Sequence, residues 1–125
     1  MLATGGEDGK LKLWTLRNCL CFVTFTEHTA AITDLKFLPN KGNAVLTCSK
    51  DGTVRAFDLV KYRCFRVMNT PKPTQFTCLA IDSTGDLVCA GSIDPFCIYV
   101  WSLRTGQLLE SLAGHTAPIS CLAFA

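Results

Sequence analysis

Eight cysteines and two histidines are the residues of this 125-residue sequence best suited to bind a metal ion or act as nucleophiles. A zinc site needs them at close, regular spacing, whereas spacing in the sequence does not exclude a catalytic Cys–His pair. No Cys-x-x-Cys pair occurs, the nearest cysteines are Cys19 and Cys21, and only His28 and His115 could complete a site. Most cysteines lie in apolar runs, such as TCLAI and LVCAG, where a thiol packs as a small hydrophobic group. We therefore expect no metal or other cofactor, and inert core thiols; one exposed redox-active thiol, or disulfides, are the alternatives.

Sequence patterns typical of enzymes and of membrane proteins are missing. The segment TGGEDGK at 4–10 contains a lysine, but its spacing differs from that of a phosphate-binding loop and is typical of a hairpin turn. No G-x-S-x-G nucleophile motif occurs. The longest stretch without a charged residue, 111–125, is shorter than the roughly 18 apolar residues of a membrane helix. The sequence thus predicts a protein that is not an enzyme, with no small-molecule substrate and no membrane contact. Because its cysteines are expected to be free thiols, it also predicts a reducing compartment, cytosolic or nuclear.

An internal repeat of about 43 residues organises the chain. Three markers recur at steps of 43 or 44 residues: a turn aspartate, an aromatic residue six or seven positions later, and a short apolar alternation. The aspartates are Asp8, Asp51 and Asp94, the aromatic residues are Trp14, Phe57 and Trp101, and the alternations span 32–37, 76–81 and 119–124. Since independent markers agree on one period, the sequence indicates a repeat protein.

Each repeat is predicted to contain four short strands. ITDLKF at 32–37 alternates apolar with polar residues, and the Asp-Gly pair at 51–52 is a strong hairpin signal. Four short strands in about 43 residues are typical of a propeller blade. We therefore expect an all-β propeller of about three four-stranded antiparallel blades, an incomplete sector of a larger ring. The predicted units are a partial blade with its second to fourth strands at 1–27, full blades at 28–70 and 71–114, and the first strand of a further blade at 115–125.

The repeat resembles the WD-repeat β-propeller family over essentially all 125 residues. The resemblance rests on GH at 114–115, SID at 92–94, DGTVRAFD at 51–58 and WS at 101–102. It implies a hydrogen-bonded tetrad in each blade: a histidine before the first strand, a serine or threonine in the second, the turn aspartate, and a tryptophan in the third. The role of such a tetrad is structural, because the aspartate accepts hydrogen bonds that hold the blade together.

No blade contains the full tetrad, and the tetrad residues that are present differ from blade to blade. The middle blade has His28, Ser49 and Asp51, with Phe57 in place of tryptophan. The third blade has Ser92, Asp94 and Trp101, with Lys72 at the histidine position. The first blade has Asp8 and Trp14, with Gly6 at the serine position, and His115 precedes the last apolar segment. We expect these residues to stabilise blades and not to catalyse a reaction.

A narrower resemblance, carried by GGEDGKLKLW, DGTVRAFDL and PKPTQF, is to the periodic tryptophan protein family. That resemblance implies a scaffold in small-subunit ribosome biogenesis, located in the nucleus and nucleolus. The implied partners are other subunits of a processome-type complex, with precursor ribosomal RNA and small nucleolar RNA as further candidates. The alternative is a WD-repeat adaptor, such as a substrate receptor of a ubiquitin ligase. An adaptor of that kind is expected to carry several arginines at the channel mouth, where only Lys50 and Arg55 are candidates.

Positive charge is concentrated in the first part of the chain. Residues 1–72 contain eleven of the twelve Lys and Arg residues and six of the ten acidic residues. The densest basic stretch has aromatic residues between its cations, and the candidate contacts with RNA or a partner are Lys61, Arg63, Arg66, Lys72 and Arg55. One interpretation is contact with an RNA backbone, with Tyr62 and Phe65 available for stacking. The other is a solvated outer strand with Phe65 buried. Contacts with protein partners are expected at the loops 27–31, 50–53, 70–74 and 93–96.

Overall fold

A computed structural model describes residues 1–39, 43–93 and 95–125 and contains eleven strands in those ranges. The first sheet consists of β1 (Leu2–Gly5), β2 (Leu11–Thr15) and β3 (Leu20–Phe25). The second consists of β4 (Ile32–Phe37), β5 (Ala44–Ser49), β6 (Val54–Asp58) and β7 (Arg63–Met68). The third consists of β8 (Gln75–Ile81), β9 (Leu87–Ile93), β10 (Cys97–Ser102) and β11 (Leu108–Ala113). No helix long and apolar enough to cross a membrane is found in the part of the chain that the structure describes.

The three sheets have the topology of propeller blades. Within each sheet, strands that follow one another along the chain pair antiparallel, so that each blade is a simple meander. The first blade has three strands, and the second and third blades have four each. The sheets do not close into a ring. The predicted all-β fold, an incomplete sector of a β-propeller, is therefore confirmed.

The twelfth predicted strand is not present, because residues 115–125 form no regular strand in the structure. One residue of this segment, Ile119, is nevertheless buried, and its carbonyl accepts a hydrogen bond from the Thr77 hydroxyl. A β-strand needs a neighbouring strand to satisfy its backbone groups. In the described part of the chain, no strand pairs with residues 115–125, which explains the difference.

The hydrophobic core lies between blades. One cluster joins the first two blades through residues such as Leu13, Phe25 and Phe57, and another joins the second and third through residues such as Met68 and Phe76. Every residue of β5 is buried, because both faces of the second blade are covered. For the same reason both Ala56 and Phe57, on opposite faces of β6, are buried. A blade in this molecule is therefore stabilised by its neighbours.

The glycine of each Asp-Gly turn permits close approach of the next blade. Gly9 and Gly52 both have positive φ, at 81° and 86°. A Cβ on Gly52 would lie 2.7 Å from the Thr74 carbonyl oxygen, and one on Gly9 would lie 2.7 Å from the His28 carbonyl oxygen. Both carbonyls belong to the segment that leads into the following blade. Glycine is thus required at these turns by backbone conformation and by space.

Arg66 of the second blade binds the backbone of the third. Its Nε donates to the Leu103 carbonyl at 3.1 Å and its Nη2 donates to the Arg104 carbonyl at 2.6 Å. These carbonyls lie in the turn between β10 and β11. Hydrogen bonds from a charged donor are among the stronger ones in proteins. Arg66 therefore fastens two blades together.

Replacing Arg66 is expected to destabilise the protein. Arg66→Met keeps much of the aliphatic stem but removes both interblade hydrogen bonds, so the free energy of unfolding should fall by about 1–3 kcal/mol. Arg63→Met is the matched control, because Arg63 is exposed on the same strand and its replacement should change stability by about 0.5 kcal/mol or less. Urea denaturation followed by tryptophan fluorescence measures both. Equal effects of the two substitutions would contradict the role of Arg66.

Candidate functional site

A buried histidine connects three segments of the second blade. His28 lies in the connector that precedes β4, Thr47 lies in the middle of β5, and Asp51 lies in the turn between β5 and β6. The His28 Nδ1 atom is 2.9 Å from Asp51 Oδ2, and Nε2 is 2.6 Å from Thr47 Oγ1. A neutral imidazole satisfies both contacts if Nδ1 donates to the carboxylate and the Thr47 hydroxyl donates to Nε2. The side chains thereby bind the connector to the sheet.

Asp51 is the acceptor on which this network converges. Besides His28, its carboxylate accepts hydrogen bonds from the Thr29 amide at 3.1 Å, the Thr53 amide at 2.9 Å and the Thr53 hydroxyl at 2.6 Å. Burial alone would raise the pKa of Asp51, but the hydrogen bonds from Thr53, His28 and the Thr29 amide outweigh it and lower the pKa below its ordinary value. Asp51 is therefore a stable carboxylate at neutral pH.

Burial makes His28 a neutral structural residue. Desolvation lowers the pKa of His28 below its ordinary value of 6.5, although the hydrogen bond and the charge of Asp51 oppose that change. The Thr47 hydroxyl, which would have to be the nucleophile of a catalytic arrangement, is completely buried. A substrate cannot reach it without unfolding the blade. The histidine, threonine and aspartate therefore hold the blade together and do not form a catalytic triad.

The structure corrects the predicted contact of Ser49. That residue was expected beside His28, but its hydroxyl donates to the Ala30 carbonyl at 3.1 Å and accepts from the Asp51 amide at 3.1 Å. Thr47 takes its place on the imidazole. Residues 47 and 49 point to the same face of β5, so the strand pattern alone does not decide which hydroxyl meets His28. The folded chain places the imidazole against Thr47 and the Ala30 carbonyl against Ser49.

The same 43-residue step relates the hydroxyl contact of the first blade to that of the second. Thr4 lies 43 residues before Thr47, and its hydroxyl accepts a hydrogen bond from Trp14 Nε1 at 2.9 Å. Asp8 Oδ1 accepts from the Lys10 amide at 3.0 Å within its own turn. Gly6, which we predict at the serine position of the tetrad, is therefore not equivalent to Thr47. The residue equivalent to Thr47 is Thr4. The 43-residue step from residue 4 to 47 was the sequence signal that could have identified both threonines.

In the third blade the indole uses a backbone acceptor. The position equivalent to Thr47 is Ala90, and Lys72, at the histidine position, is exposed. Trp101 Nε1 therefore donates to the Asn69 carbonyl at 3.1 Å, and not to a side chain. The Ser92 hydroxyl bonds to the Pro95 carbonyl at 2.6 Å, inside its own turn. Asp94 lies outside the described residues.

Two further predicted members of the tetrads occupy different environments. Phe57, at the tryptophan position of the second blade, is fully buried, with its ring centroid 6.3 Å from that of His28 and 4.6 Å from that of Phe25. It contributes packing where a tryptophan would also donate a hydrogen bond. His115 is exposed and lies outside the strands of the structure. The tetrad is thus distributed, with an indole–hydroxyl pair in the first blade and a hydroxyl–imidazole–carboxylate chain in the second.

The predicted basic contact surface is smaller in the structure than in the sequence. Lys61, Arg63 and Lys72 are exposed. Arg66 is committed to the carbonyls of the third blade, and Arg55 is half-buried, with its Nε donating to Thr53 Oγ1 at 3.3 Å. Arg66 is therefore occupied by contacts within the protein, and Arg55 remains a predicted contact.

Exposed aromatic rings accompany the remaining cations. Tyr62, between Lys61 and Arg63, makes an edge-to-face contact with Phe22 of the first blade, at 6.3 Å between ring centroids. Both rings are more than 40% exposed, and so is Phe65. The interpretation as a solvated outer strand expects Phe65 to be buried, and that part of it is wrong. We call Phe22, Lys61, Tyr62 and Arg63 the outer patch. It crosses the boundary between two blades.

Three of the eight cysteines are core residues. Burial raises the pKa of Cys48 to about 12 and that of Cys89 to about 11, and it also raises the pKa of Cys78. These thiols are unreactive at neutral pH. Cys64 is half-buried and packs against the core between the first two blades, and Cys97 is half-buried. The prediction of core thiols is wrong for Cys19, Cys21 and Cys121, which are exposed. All eight are free, and residues 1–39, 43–93 and 95–125 contain no cluster of metal-binding side chains.

The four predicted contact loops form one row at the same end of the blades. The 27–31 and 50–53 loops meet through the Thr29 amide and Asp51. Gly52 lies against the Thr74 backbone, which brings the 50–53 loop to the 70–74 loop. The Thr74 hydroxyl in turn donates to the Ile93 carbonyl at 2.6 Å, at the start of the 93–96 loop. These links hold the loops at fixed spacing.

The opposite end of the second and third blades contains an open cleft of about 770 Å³. Its walls include the side chains Leu38, Asp58, Phe65, Arg66, Asp86 and Arg104. Two arginines and two aspartates balance one another among these side chains, and one of the arginines already binds backbone carbonyls. The charges of the described walls therefore favour neither an anion nor a cation.

Removing the Thr47 hydroxyl is expected to cost more than removing that of Thr4. Thr47→Val leaves the buried His28 Nε2 without a donor, so the free energy of unfolding should fall by about 1–3 kcal/mol. Thr4→Val is the matched control, because Thr4 is exposed and water can replace it as acceptor for the Trp14 indole; its cost should be below about 1 kcal/mol. Denaturant unfolding at neutral pH compares the two. A larger decrease in the Thr4 variant would refute the assignment.

Stability is expected to fall as the pH drops through 6.5. Since the pKa of His28 is lower in the folded chain, the unfolded chain binds the proton more readily, and acid favours unfolding. The free energy of unfolding should decrease between about pH 6.5 and the lower folded-state pKa, by at most about 1.4 kcal/mol per pH unit. Thermal melts across this range measure the slope. It should flatten in His28→Gln and persist in His115→Gln, which changes an exposed histidine.

Comparison with known proteins agrees with this geometry. The model of the family described as "WD domain, G-beta repeat" matches residues 19–58, which run from the end of the first blade through β6. This match covers the histidine, the strand hydroxyl and the turn aspartate of the second blade, and it ends one residue after Phe57.

Longer proteins are similar over nearly the whole chain. The Periodic tryptophan protein 2 homolog of Dictyostelium discoideum is 52% identical over 124 residues, and that of Caenorhabditis elegans is 51% identical over 122 residues. The Periodic tryptophan protein 2 of Saccharomyces cerevisiae is 48% identical over 123 residues. In each case the match covers 98% of this chain and 13% of the relative, so the chain spans about an eighth of their length. The repeat, the bladed sheets and these matches agree that the chain belongs to the WD-repeat β-propeller family.

Proposed function

We propose that this chain is a non-catalytic scaffold in small-subunit ribosome biogenesis, acting in the nucleus and nucleolus. The observation that carries the proposal is the identity of about 50%, over nearly the whole chain, with periodic tryptophan protein 2 homologs from distant eukaryotes. The resemblance of the sequence to the periodic tryptophan protein family implies subunits of a processome-type complex as partners. Because the chain matches only 13% of each relative, the role proposed here is that of one part of a larger scaffold.

The geometry supports a binding role for the exposed loops. The polar groups of the second blade bond to one another, as His28, Thr47 and Asp51 do, and are not available to a substrate. The loops at 27–31, 50–53, 70–74 and 93–96 are held in a row by hydrogen bonds and close backbone contact. A rigid framework that presents short loops at fixed spacing suits contacts with other proteins.

The outer patch supports a secondary contact with RNA. Lys61 and Arg63 provide two exposed cations within three residues, and the ring of Tyr62 lies between them in sequence, in contact with Phe22. Cations bind phosphates, while exposed aromatic rings stack on unpaired bases. The described structure therefore favours single-stranded precursor ribosomal RNA or small nucleolar RNA over a duplex at this patch.

Cell-based purification tests the scaffold role. The chain, tagged and expressed in eukaryotic cells, should concentrate in the nucleolus and should co-purify with small nucleolar RNA, precursor ribosomal RNA and processome subunits. A tagged chain with Gly52→Val is the control, because the new side chain would clash with the Thr74 carbonyl and disrupt the row of loops. Enrichment of ubiquitin-ligase subunits without these RNAs would refute the proposal and favour the adaptor alternative.

Neutralising the outer patch is expected to weaken RNA binding in a salt-dependent way. For each phosphate contact that Lys61→Gln or Arg63→Gln removes, the slope of log affinity against log salt concentration should become less steep by about 0.7. Fluorescence anisotropy with a labelled single-stranded RNA measures this slope. The matched control is Lys36→Gln, because Lys36 is exposed on β4, away from the outer patch, and lies 3.8 Å from Asp34. If all three variants bind as the unchanged chain does, the outer patch does not contact RNA.

A further inference from the structure

The outermost strand of each blade contains a β-bulge at the same position of the repeat. In β3, the residues on either side of Phe22 pair with neighbouring residues of β2, so that Phe22 itself has no partner in the ladder. Phe65 of β7, which lies 43 residues later, is left out of its ladder in the same way. A bulge redirects the side chain of the extra residue, and both rings are exposed. The first two blades therefore each present one aromatic ring from their outermost strand.

At the boundary between the first and second blades, this ring has an aromatic partner. Phe22 meets Tyr62 in an edge-to-face contact, with 6.3 Å between the ring centroids and 85° between the ring planes. Tyr62 lies in the turn before β7, and its φ of 54° is in the left-handed region, which residues other than glycine seldom adopt. The two blades thus form this pair of rings although the backbone of Tyr62 is in a conformation of higher energy.

At the boundary between the second and third blades, the partner ring is missing. The residue equivalent to Tyr62 in the turn before β11 is Gly106, which has the same left-handed conformation, with a φ of 74°, but no side chain. Arg66 makes the contact between blades here, since its Cδ would lie 2.9 Å from a Cβ on Gly106 and its guanidinium binds the backbone of the same turn. Within the described residues, Phe65 contacts no other aromatic ring. Instead, Phe65 forms part of the wall of the cleft of about 770 Å³.

We propose that this cleft binds an aromatic side chain of another protein, which packs edge to face against Phe65 as Tyr62 packs against Phe22. The occupant is a tyrosine, phenylalanine or tryptophan in an exposed segment of the partner. The first boundary provides the template, because Phe22 and Phe65 are the same residue type at the same bulge position of successive blades. Aromatic side chains that fill a pocket commonly supply much of the binding energy of a protein interface.

The walls of the cleft suit an uncharged ring. Leu38 and Leu103 add apolar side chains to that of Phe65, and the volume is within the range of about 300–1,000 Å³ that ligand pockets commonly have. The charged side chains among the described walls are two arginines and two aspartates, so an uncharged ring meets no net charge. A nucleic acid needs an excess of cations for its phosphates, whereas Asp58 and Asp86 would repel them. The balance of charge therefore favours a protein over RNA in the cleft.

Peptide selection tests the cleft in the full 125-residue chain. Random peptides displayed on phage are selected against the chain, and the bound sequences are synthesised with a fluorescent label for anisotropy measurements. The selected peptides should share an aromatic residue, and Phe65→Ala should raise their dissociation constant at least about tenfold, as the loss of an interface anchor does. The matched control is Val67→Ala, because Val67 is exposed on the same strand but does not line the cleft. It should leave the affinity unchanged.

Two further measurements show whether the two rings meet. Replacing the aromatic residue of the peptide with leucine should weaken binding to the unchanged chain at least about tenfold, but should have little further effect on Phe65→Ala, since residues in contact are energetically coupled. A peptide with photoreactive benzoylphenylalanine at that position should crosslink to residues of the cleft, such as Leu103. The crosslinking uses the unchanged chain, so it does not depend on how a variant folds.

The proposal is wrong if no peptide is selected, if the selected peptides share no aromatic residue, or if Phe65→Ala and Val67→Ala have equal effects. Crosslinks confined to the row of loops would also overturn it. If single-stranded RNA or a second copy of the chain displaces the peptide, that molecule is the occupant, and the proposal of a different protein partner is overturned. A negative result leaves the proposed role in ribosome biogenesis intact, because that role rests on the similarity to the relatives and on the row of loops.

Discussion

The contact between neighbouring blades is the constraint on which the rest of the molecule depends. A meander of three or four short strands has two faces, and apolar side chains on both must be kept from water. Accordingly, both hydrophobic clusters lie between blades, and β5 is buried throughout because it has a neighbour on each side. The glycine of each Asp-Gly turn, the Thr33 hydroxyl and the Arg66 guanidinium all serve this contact. Stability here is a property of adjacent repeats.

The polar network supplements this packing in different ways in each blade. In the second blade, a neutral imidazole between Thr47 and Asp51 joins the connector to the sheet. In the first, only the pair of Thr4 and Trp14 is present, and in the third Trp101 uses a backbone carbonyl. Hydrogen bonds satisfy the buried groups in every case, because an unpaired polar group between two blades would be costly. The blades therefore differ in side-chain chemistry while they keep one backbone form.

The side chains that stabilise the blades are different from the surfaces that are exposed to other molecules. His28 and Cys48 are buried, and the His28 imidazole is hydrogen-bonded to Thr47. The surfaces that remain for contact with other molecules include the row of loops at one end of the blades and the outer patch. Because these surfaces rest on strands that pack against the neighbouring blade, their spacing is fixed before any partner binds.

Most of the fold was determined by the sequence itself, since the 43-residue period and the alternation within it depend only on local residue types. The strands, their order and the blade pattern follow from these. The tertiary structure alone decided which hydroxyl contacts His28 and that Arg66 binds the backbone of a neighbouring blade. The physical reason is that these outcomes depend on how segments separated in sequence approach one another in the folded chain, which local residue types do not encode. Thr47 and Ser49 share a face of one strand, and only their contacts with the connector, His28 for Thr47 and Ala30 for Ser49, distinguish them.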